Sequence, residues 1–300
     1  MELETNFAKL FFVQIEDSNN TEYTAPILKE KTETALVSPT PNNPPWNSLT
    51  AVGVWLASVA FILVFRNILL LPYLLKQNID FANQTAILEF AKNDPTAVLL
   101  QIVATIPAHL LTLLLAWLVV TRFKKFSFRQ TLGWEKGGFA WWYYPLILIG
   151  IFAVSAIVSY FVPEQDNDMM RILRSSRAAV FAVTFLATFT APLVEEVIYR
   201  GIMYSAFQRT FGVASAVFIV TLIFAAVHFY QYWGSPSTIF LIVFLSLFLT
   251  LVRARTKNLL PCIILHTLIN GIQSLILILE PYINFDNITE QHAALFHLWK

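Results

Sequence analysis

The sequence predicts an all-α protein that crosses a lipid bilayer about seven times, and both its composition and its long apolar runs support this. Of its 300 residues, 57% are hydrophobic and 13% are charged, with a mean hydropathy of +0.61. A soluble domain is about 45–50% apolar and about 25% charged. From residue 48 onward the chain repeatedly carries runs of about 20 apolar residues, which is the length that an α-helix needs to cross a hydrocarbon core ~30 Å thick.

The apolar runs also divide the chain. We expect a mobile polar tail over 1–45, N-terminal transmembrane helices and loops over 46–174, a core over 175–282 and a C-terminal tail over 283–300. The tail prediction rests on the stretch Ser38 to Pro45, which contains four prolines and cannot propagate helical hydrogen bonds. The predicted spans are 48–75, 97–121, 139–162, 178–208, 213–233, 236–252 and 259–279.

Lysine and arginine residues predict the orientation, because such residues are retained on the cytoplasmic side of a membrane. With seven spans, three basic connections fall on one side, and the N-terminus is then cytoplasmic and the C-terminus external. In a bacterial cell the membrane would be the plasma membrane. The residues that mark this side are Arg122, Lys124, Lys125, Arg129, Lys136, Arg209, Arg253, Arg255 and Lys257.

Charge and cysteine content exclude several classes of function. The formal net charge is +1, and no basic block is long enough to follow a phosphate backbone, so nucleic acid is not an expected partner. The single cysteine, Cys262, excludes an intrachain disulfide framework and a cysteine-based zinc cluster. We interpret Cys262 as a small apolar residue near the start of a helix.

Three charged residues interrupt the fourth span, in the segment Ala191 to Arg200. Each costs free energy at membrane depth unless it is paired. Glu196 and Arg200 stand four residues apart, the spacing at which a carboxylate and a guanidinium meet on one helical face. We therefore interpret these two as a supporting ion pair. Glu195 has no such local cation, which makes it a candidate functional residue.

Two later spans also carry polar residues. His228 lies in the span 213–233, and His266 and Asn270 lie four residues apart, on one face, in the span 259–279. Either histidine alone is as well explained by a hydrogen bond to a neighbouring backbone group. Counted from the cytoplasmic ends of their spans, these residues and Glu195 all lie about 14–24 Å deep at a rise of 1.5 Å per residue. The sequence thus predicts a site buried between the last four helices.

Together these motifs resemble the CAAX protease and bacteriocin-processing (CPBP) family of intramembrane proteases, which includes the type II CAAX prenyl endopeptidases. The family pattern is E-E-x-x-x-R, then F-x-x-x-H, then H-x-x-x-N on successive membrane helices. Glu195, Glu196 and Arg200 match the first motif, Phe224 and His228 the second, and His266 and Asn270 the third. The resemblance covers roughly residues 175–280.

The resemblance implies an endopeptidase that acts on membrane-bound protein or peptide substrates, such as prenylated CAAX proteins. It implies that Glu195 and His228 polarise a water molecule and that His266 and Asn270 stabilise the oxyanion, while Glu196 and Arg200 brace the helix. The alternative chemistry is a Zn²⁺ site with Glu195, His228 and His266 as ligands and water in the fourth position. Residue types do not decide between the two.

A different class of function also fits buried glutamate and histidine. Such residues build proton relays in transporters, so the rival prediction is a non-catalytic membrane protein: a proton-coupled transporter or a bacteriocin-immunity scaffold. The lack of a visible inverted repeat disfavours the transporter, and the presence of groups for both the water and the oxyanion favours the protease.

Overall fold

The computed structural model describes residues 38–282, and within this range the chain forms helices and one isolated β-bridge, between Thr40 and Asn43. The predicted all-α fold is therefore confirmed. The predicted C-terminal tail, 283–300, and residues 1–37 of the predicted N-terminal tail lie outside the described residues. The helices are α1 Ser48–Leu74, α2 Gln84–Asn93, α3 Pro95–Thr121, α4 Phe128–Leu132, α5 Tyr143–Phe161, α6 Asp168–Ser175, α7 Arg177–Phe211, α8 Val213–Phe229, α9 Pro236–Thr256 and α10 Leu260–Leu279.

Six of these helices (α1, α3, α5, α7, α9 and α10) are long and apolar enough to cross a membrane, with mean hydropathies between 1.7 and 2.2. The protein is therefore a polytopic integral membrane protein. The predicted count of seven is not confirmed, because α8 has 17 residues. That length lies at the lower limit of the 17–25 residues of typical spans, so a seventh span formed by α8 stays a prediction.

Several helices begin where a short polar side chain accepts a hydrogen bond from a backbone N–H of the first turn, which satisfies a donor that the helix itself leaves free. These capping residues lie in the connections between the apolar runs, so they fix where each run starts to be helical. They are Asn47, Asn83, Asp94, Asn167 and Ser176.

Helix α7 lies at the centre of the helices and packs against α1, α3, α8 and α10. Its side chains from Val197 to Phe207 are almost all buried and form much of the largest apolar core. Helix α1 is peripheral: 11% of its most apolar 18-residue segment is buried, whereas the corresponding share is 33% in α9 and in α10. The polar residues of α7 are thus enclosed by protein, whereas the outer helices turn large apolar side chains outward to lipid.

Residues 41–46, which we name the entry strap, are fastened to the ends of α3, α7 and α9. Backbone carbonyls of the strap accept hydrogen bonds from Arg122, Gln208, Arg209 and Arg253. Gly133, at φ +69°, lies so close to the strap that an added Cβ would stand 2.8 Å from the Cγ of Pro41. Residues 41–45 of the predicted tail are therefore held in place.

Candidate active site

Helix α7 contains two widened turns of π-helical type, Leu186–Thr190 and Glu196–Met203, on either side of Glu195. Pro192 explains the first, because proline has no N–H to donate and its ring collides with the carbonyl four residues earlier. A wider turn relieves that collision, and the N–H of Ala191 donates to the carbonyl of Leu186, five residues back. Widened turns of this kind often occur at functional sites.

The Glu196–Arg200 pair forms as the spacing predicts. Nη1 of Arg200 donates to Oε1 of Glu196 at 2.8 Å, and both side chains are fully buried. Arg200 also donates to Thr250 and Ser246 of α9, and its guanidinium lies over the ring of Phe224 of α8, 4.7 Å from the centroid. Arg200 therefore joins α7 to α8 and α9.

His266 of α10 stands between the two glutamates. Its Nδ1 lies 2.8 Å from Oε1 of Glu196, the oxygen that Arg200 also contacts, and its Nε2 lies 3.8 Å from Oε2 of Glu195. The first distance is a hydrogen bond, whereas the second is too long for one. A carboxylate only accepts, so Nδ1 of His266 carries a proton.

The two glutamates differ in exposure. The side chain of Glu195 is 23% exposed, whereas that of Glu196 is 0% exposed. The Glu195 carboxylate is therefore partly accessible, whereas Glu196 acts on Glu195 only through His266.

His228 of α8 does not contact Glu195: among residues 38–282, no nitrogen of His228 lies within 4 Å of a carboxylate oxygen. Its Nδ1 lies 2.8 Å from the carbonyl of Phe224, which accepts, so Nδ1 bears a proton, and in the neutral imidazole Nε2 has a free lone pair. The rings of His228 and Phe224 are 4.7 Å apart between centroids, and those of Phe224 and His266 are 6.3 Å apart. Phe224 thus separates the two histidines and packs against both.

Asn270 also belongs to the same region, although it makes no hydrogen bond to the glutamates. Its Nδ2 donates to the carbonyl of Ala187 at 3.0 Å, within the first widened turn of α7. One N–H of the amide is used in this bond, and the second N–H is left for another acceptor. Four of the six predicted residues, Glu195, Glu196, Arg200 and His266, thus form one cluster, with His228 and Asn270 beside it.

Two titratable groups lie at the end of the protein opposite the entry strap: Tyr232 in the connection between α8 and α9, and Glu164 in the connection between α5 and α6. Burial raises the pKa of the Tyr232 hydroxyl, and the charges of Glu164 and Glu195 raise it further. Burial also raises the pKa of Glu164 to about 7, although Thr238 and Asn167 donate hydrogen bonds to its carboxylate.

The residues do not assemble the predicted zinc ligand set. Within the part of the chain that the structure describes, no group of three or more histidine, cysteine and carboxylate side chains is arranged to hold a metal ion. Nδ1 of His266 is hydrogen-bonded to Glu196, and neither ring nitrogen of His228 lies within 4 Å of a carboxylate oxygen of Glu195. We therefore derive no step through a metal.

Two polar contributions to this region were not predicted from the motifs. Ser246 and Thr250 of α9 hold Arg200, and His109 of α3 lies 2.9 Å, from its Nδ1, from the hydroxyl of Thr190. The signal for His109 was present in the sequence, because it lies thirteen residues before Arg122, about 20 Å deep at 1.5 Å per residue.

Fold and cluster together define a polytopic membrane protein with a glutamate and histidine site enclosed by its helices. Residues 177–272 match the family model described as Rce1-like, type II CAAX prenyl endopeptidase Rce1-like. The chain therefore contains a domain of the type II CAAX prenyl endopeptidase family, and the resemblance seen in its motifs is confirmed. This membership supports an intramembrane protease of the CAAX type, with a membrane-associated protein as substrate. Comparisons with curated proteins and with solved structures found no match.

Proposed function

We propose that the protein is an intramembrane endopeptidase in which Glu195 activates a water molecule for attack on a peptide bond. The observation that carries this proposal is the position of His266 between Glu195 and Glu196. The partly exposed carboxylate of Glu195 is available to act on water, and the buried carboxylate of Glu196 orients the imidazole of His266.

A charge count favours a doubly protonated His266. Glu195 and Glu196 contribute two negative charges and Arg200 contributes one positive charge. An imidazolium at His266 brings the sum to zero, which matters because an unbalanced charge is costly in a site shielded from water. His266 then donates from Nδ1 to Glu196 and presents an N–H at Nε2 on the side of Glu195.

The hydrogen bonds sort the four proposed catalytic residues into acceptors and donors. Glu195 and the free Nε2 of His228 are acceptors, and a water molecule donates two hydrogens, so these two groups suit the water. The Nε2–H of His266 and the second N–H of Asn270 are donors, so they suit a developing oxyanion. These roles are the ones that the family resemblance implies.

The reaction balances with these groups. The water oxygen bonds to the scissile carbonyl carbon while its proton passes to the Glu195 carboxylate, and His266 and Asn270 stabilise the oxyanion. The C–N bond then breaks as the oxyanion collapses. Glu195 returns its proton to the departing amine nitrogen, which restores the ionised carboxylate for the next cycle.

For the substrate class we propose the C-terminal segment of a membrane-associated protein, with prenylated CAAX proteins as the first candidates. The domain at 177–272 supports this choice. A covalent lipid holds such a segment at the membrane, where a partly exposed Glu195 enclosed by α7, α8 and α10 can meet it.

The test is cleavage of a farnesylated CAAX peptide and its unprenylated counterpart by purified protein in lipid nanodiscs. We expect the wild type to cleave the farnesylated peptide and Glu195→Gln to lose at least a hundredfold in rate, since general-base catalysis contributes about 10²–10⁴-fold. The matched control is Glu89→Gln, which alters an exposed carboxylate of α2 in the same way and should leave the rate unchanged. A Glu195→Gln protein as active as the wild type would exclude Glu195 as the base.

A further inference from the structure

We propose that His109 of α3 is a positioning residue for Glu195, which it holds through Thr190. The inference rests on the proposed function and extends it beyond the segment that matches the family, because His109 lies outside 177–272. It gives the N-terminal half of the chain a part in the site.

The contact is a single, partly buried hydrogen bond with a defined direction. Nδ1 of His109 and Oγ1 of Thr190 are 2.9 Å apart, and Oγ1 of Thr190 donates its own hydrogen to the carbonyl of Leu186 at 3.4 Å. With that hydrogen used, Thr190 accepts from His109, so Nδ1 bears the proton. His109 is 7% exposed, so loss of this partner would leave a buried polar group unpaired.

The position of Thr190 makes this bond relevant to Glu195. Thr190 ends the widened turn Leu186–Thr190, and Pro192 removes a backbone hydrogen bond that would otherwise hold the next turn. Glu195 follows five residues later, about 7.5 Å along the axis. The side-chain contact from α3 therefore holds α7 where its own backbone bonds are rearranged.

Asn270 anchors the same turn from the other side, through the carbonyl of Ala187. His109 and Asn270 thus fix the turn between α3 and α10, and α10 also carries His266. The distance between Glu195 and His266 depends on this arrangement.

The experiment is a double-mutant cycle of His109→Leu and Thr190→Val, with kcat and KM measured on the farnesylated peptide and normalised to folded protein. We expect each variant to lower kcat about ten- to hundredfold, since displacements of about 1 Å can cost 10²-fold, while KM changes less than twofold. The double variant should be no worse than either single one, because both changes remove the same bond.

Two conservative variants and one matched control separate positioning from general support of the fold. His109→Asn retains a donor near Nδ1 and Thr190→Ser retains the hydroxyl, so both should recover most of kcat. Thr184→Val makes the same substitution at a buried threonine of α7 whose hydroxyl bonds only to its own helix, and it should keep kcat. Equal losses in Thr184→Val and Thr190→Val, or no recovery in Thr190→Ser, would overturn the inference.

Thermal unfolding of the same variants in detergent distinguishes this inference from the proposed function. Non-additive loss of stability in the double variant reports the His109–Thr190 bond whether or not the protein cleaves the peptide. Wild-type protein that shows this coupling but no cleavage would overturn the proposed function together with the catalytic part of the inference. Cleavage by the wild type with fully additive effects on kcat would overturn the inference alone.

Discussion

Nδ1 of His266 and Oε1 of Glu196 form a buried hydrogen bond of 2.8 Å between α10 and α7. The same oxygen accepts from Arg200, also at 2.8 Å. Glu196 therefore supports the site in two ways: it neutralises Arg200, and it orients an imidazole that faces Glu195. Sequence spacing indicated the first role and gave no sign of the second.

The two roles of Glu196 are separable by double substitution. Arg200→Ala leaves a buried carboxylate without its cation, and we expect the free energy of unfolding to fall by about 3–5 kcal/mol. Glu196→Gln with Arg200→Met removes both charges and keeps an oxygen that accepts from His266. Stability should then recover by more than additivity predicts, and activity should recover with it.

The matched double variant combines Glu196→Leu with Arg200→Met. It also removes both charges, but it leaves Nδ1 of His266 without an acceptor. We expect this protein to be folded and inactive in the nanodisc assay. Equal activity in the Gln and Leu versions would show that the Glu196–His266 bond has no part in catalysis.

Reporter fusions test the topology. Fusions after Lys125 and Lys257 should report the cytoplasmic side and a fusion after Glu280 the external side, because basic residues are retained in the cytoplasm. Fusions at Gly212 and Gly234 flank α8, and they should report opposite sides if α8 crosses the membrane. The same side for both would mean that α8 does not span, and an external signal at Lys257 would contradict the predicted orientation.

The raised pKa of Glu164 predicts a pH dependence of stability. The carboxyl group has a pKa of about 7 in the folded protein against 4.5 ordinarily, so the folded state binds more protons between these values. The contribution of Glu164 to stability should therefore be largest below pH 4.5 and should decline as the pH rises through about 7. Thermal unfolding measured across this range should show the decline in the wild type, with a smaller slope in Glu164→Gln. Identical slopes would contradict the assignment.

Arg253 should contribute more to stability than Arg255, although both lie in the last turns of α9. The Arg253 side chain is buried, donates to the Pro41 carbonyl and to Ser205, and lies over the ring of Tyr204, whereas Arg255 is exposed. We expect Arg253→Ala to cost about 2–3 kcal/mol, the scale of hydrogen bonds to a charged group. Arg255→Ala is the matched control and should stay within about 0.5 kcal/mol of the wild type. Equal losses would show that the entry strap is not held by Arg253.

Much of the fold could be predicted, because a membrane span needs a long apolar run and each run became a helix. The i, i+4 rule likewise predicted the ion pair between Glu196 and Arg200. The contacts between helices were harder to predict. His109 carries no neighbouring motif, and its partner Thr190 lies in a turn whose width depends on Pro192 and on packing against α3 and α10.

The two adjacent glutamates also show that contacts between helices were hard to predict from the sequence. The sequence separated Glu195 from Glu196 by the absence of a local cation, which was the right distinction for a helix considered alone. It gave no indication that His266 from α10 would lie between them, since that depends on how α10 packs against α7.

The entry strap also bears on the order in which the protein matures during synthesis. Trp46 donates to the carbonyl of Ile202, 156 residues later in the chain, and Pro41 accepts from Arg253, 212 residues later. At about 5–20 residues per second, the ribosome needs roughly 8–30 s to make the first of these partners after Trp46 has been made. The segment leading into α1 thus completes its native contacts only after the helix that carries Glu195 has been synthesised.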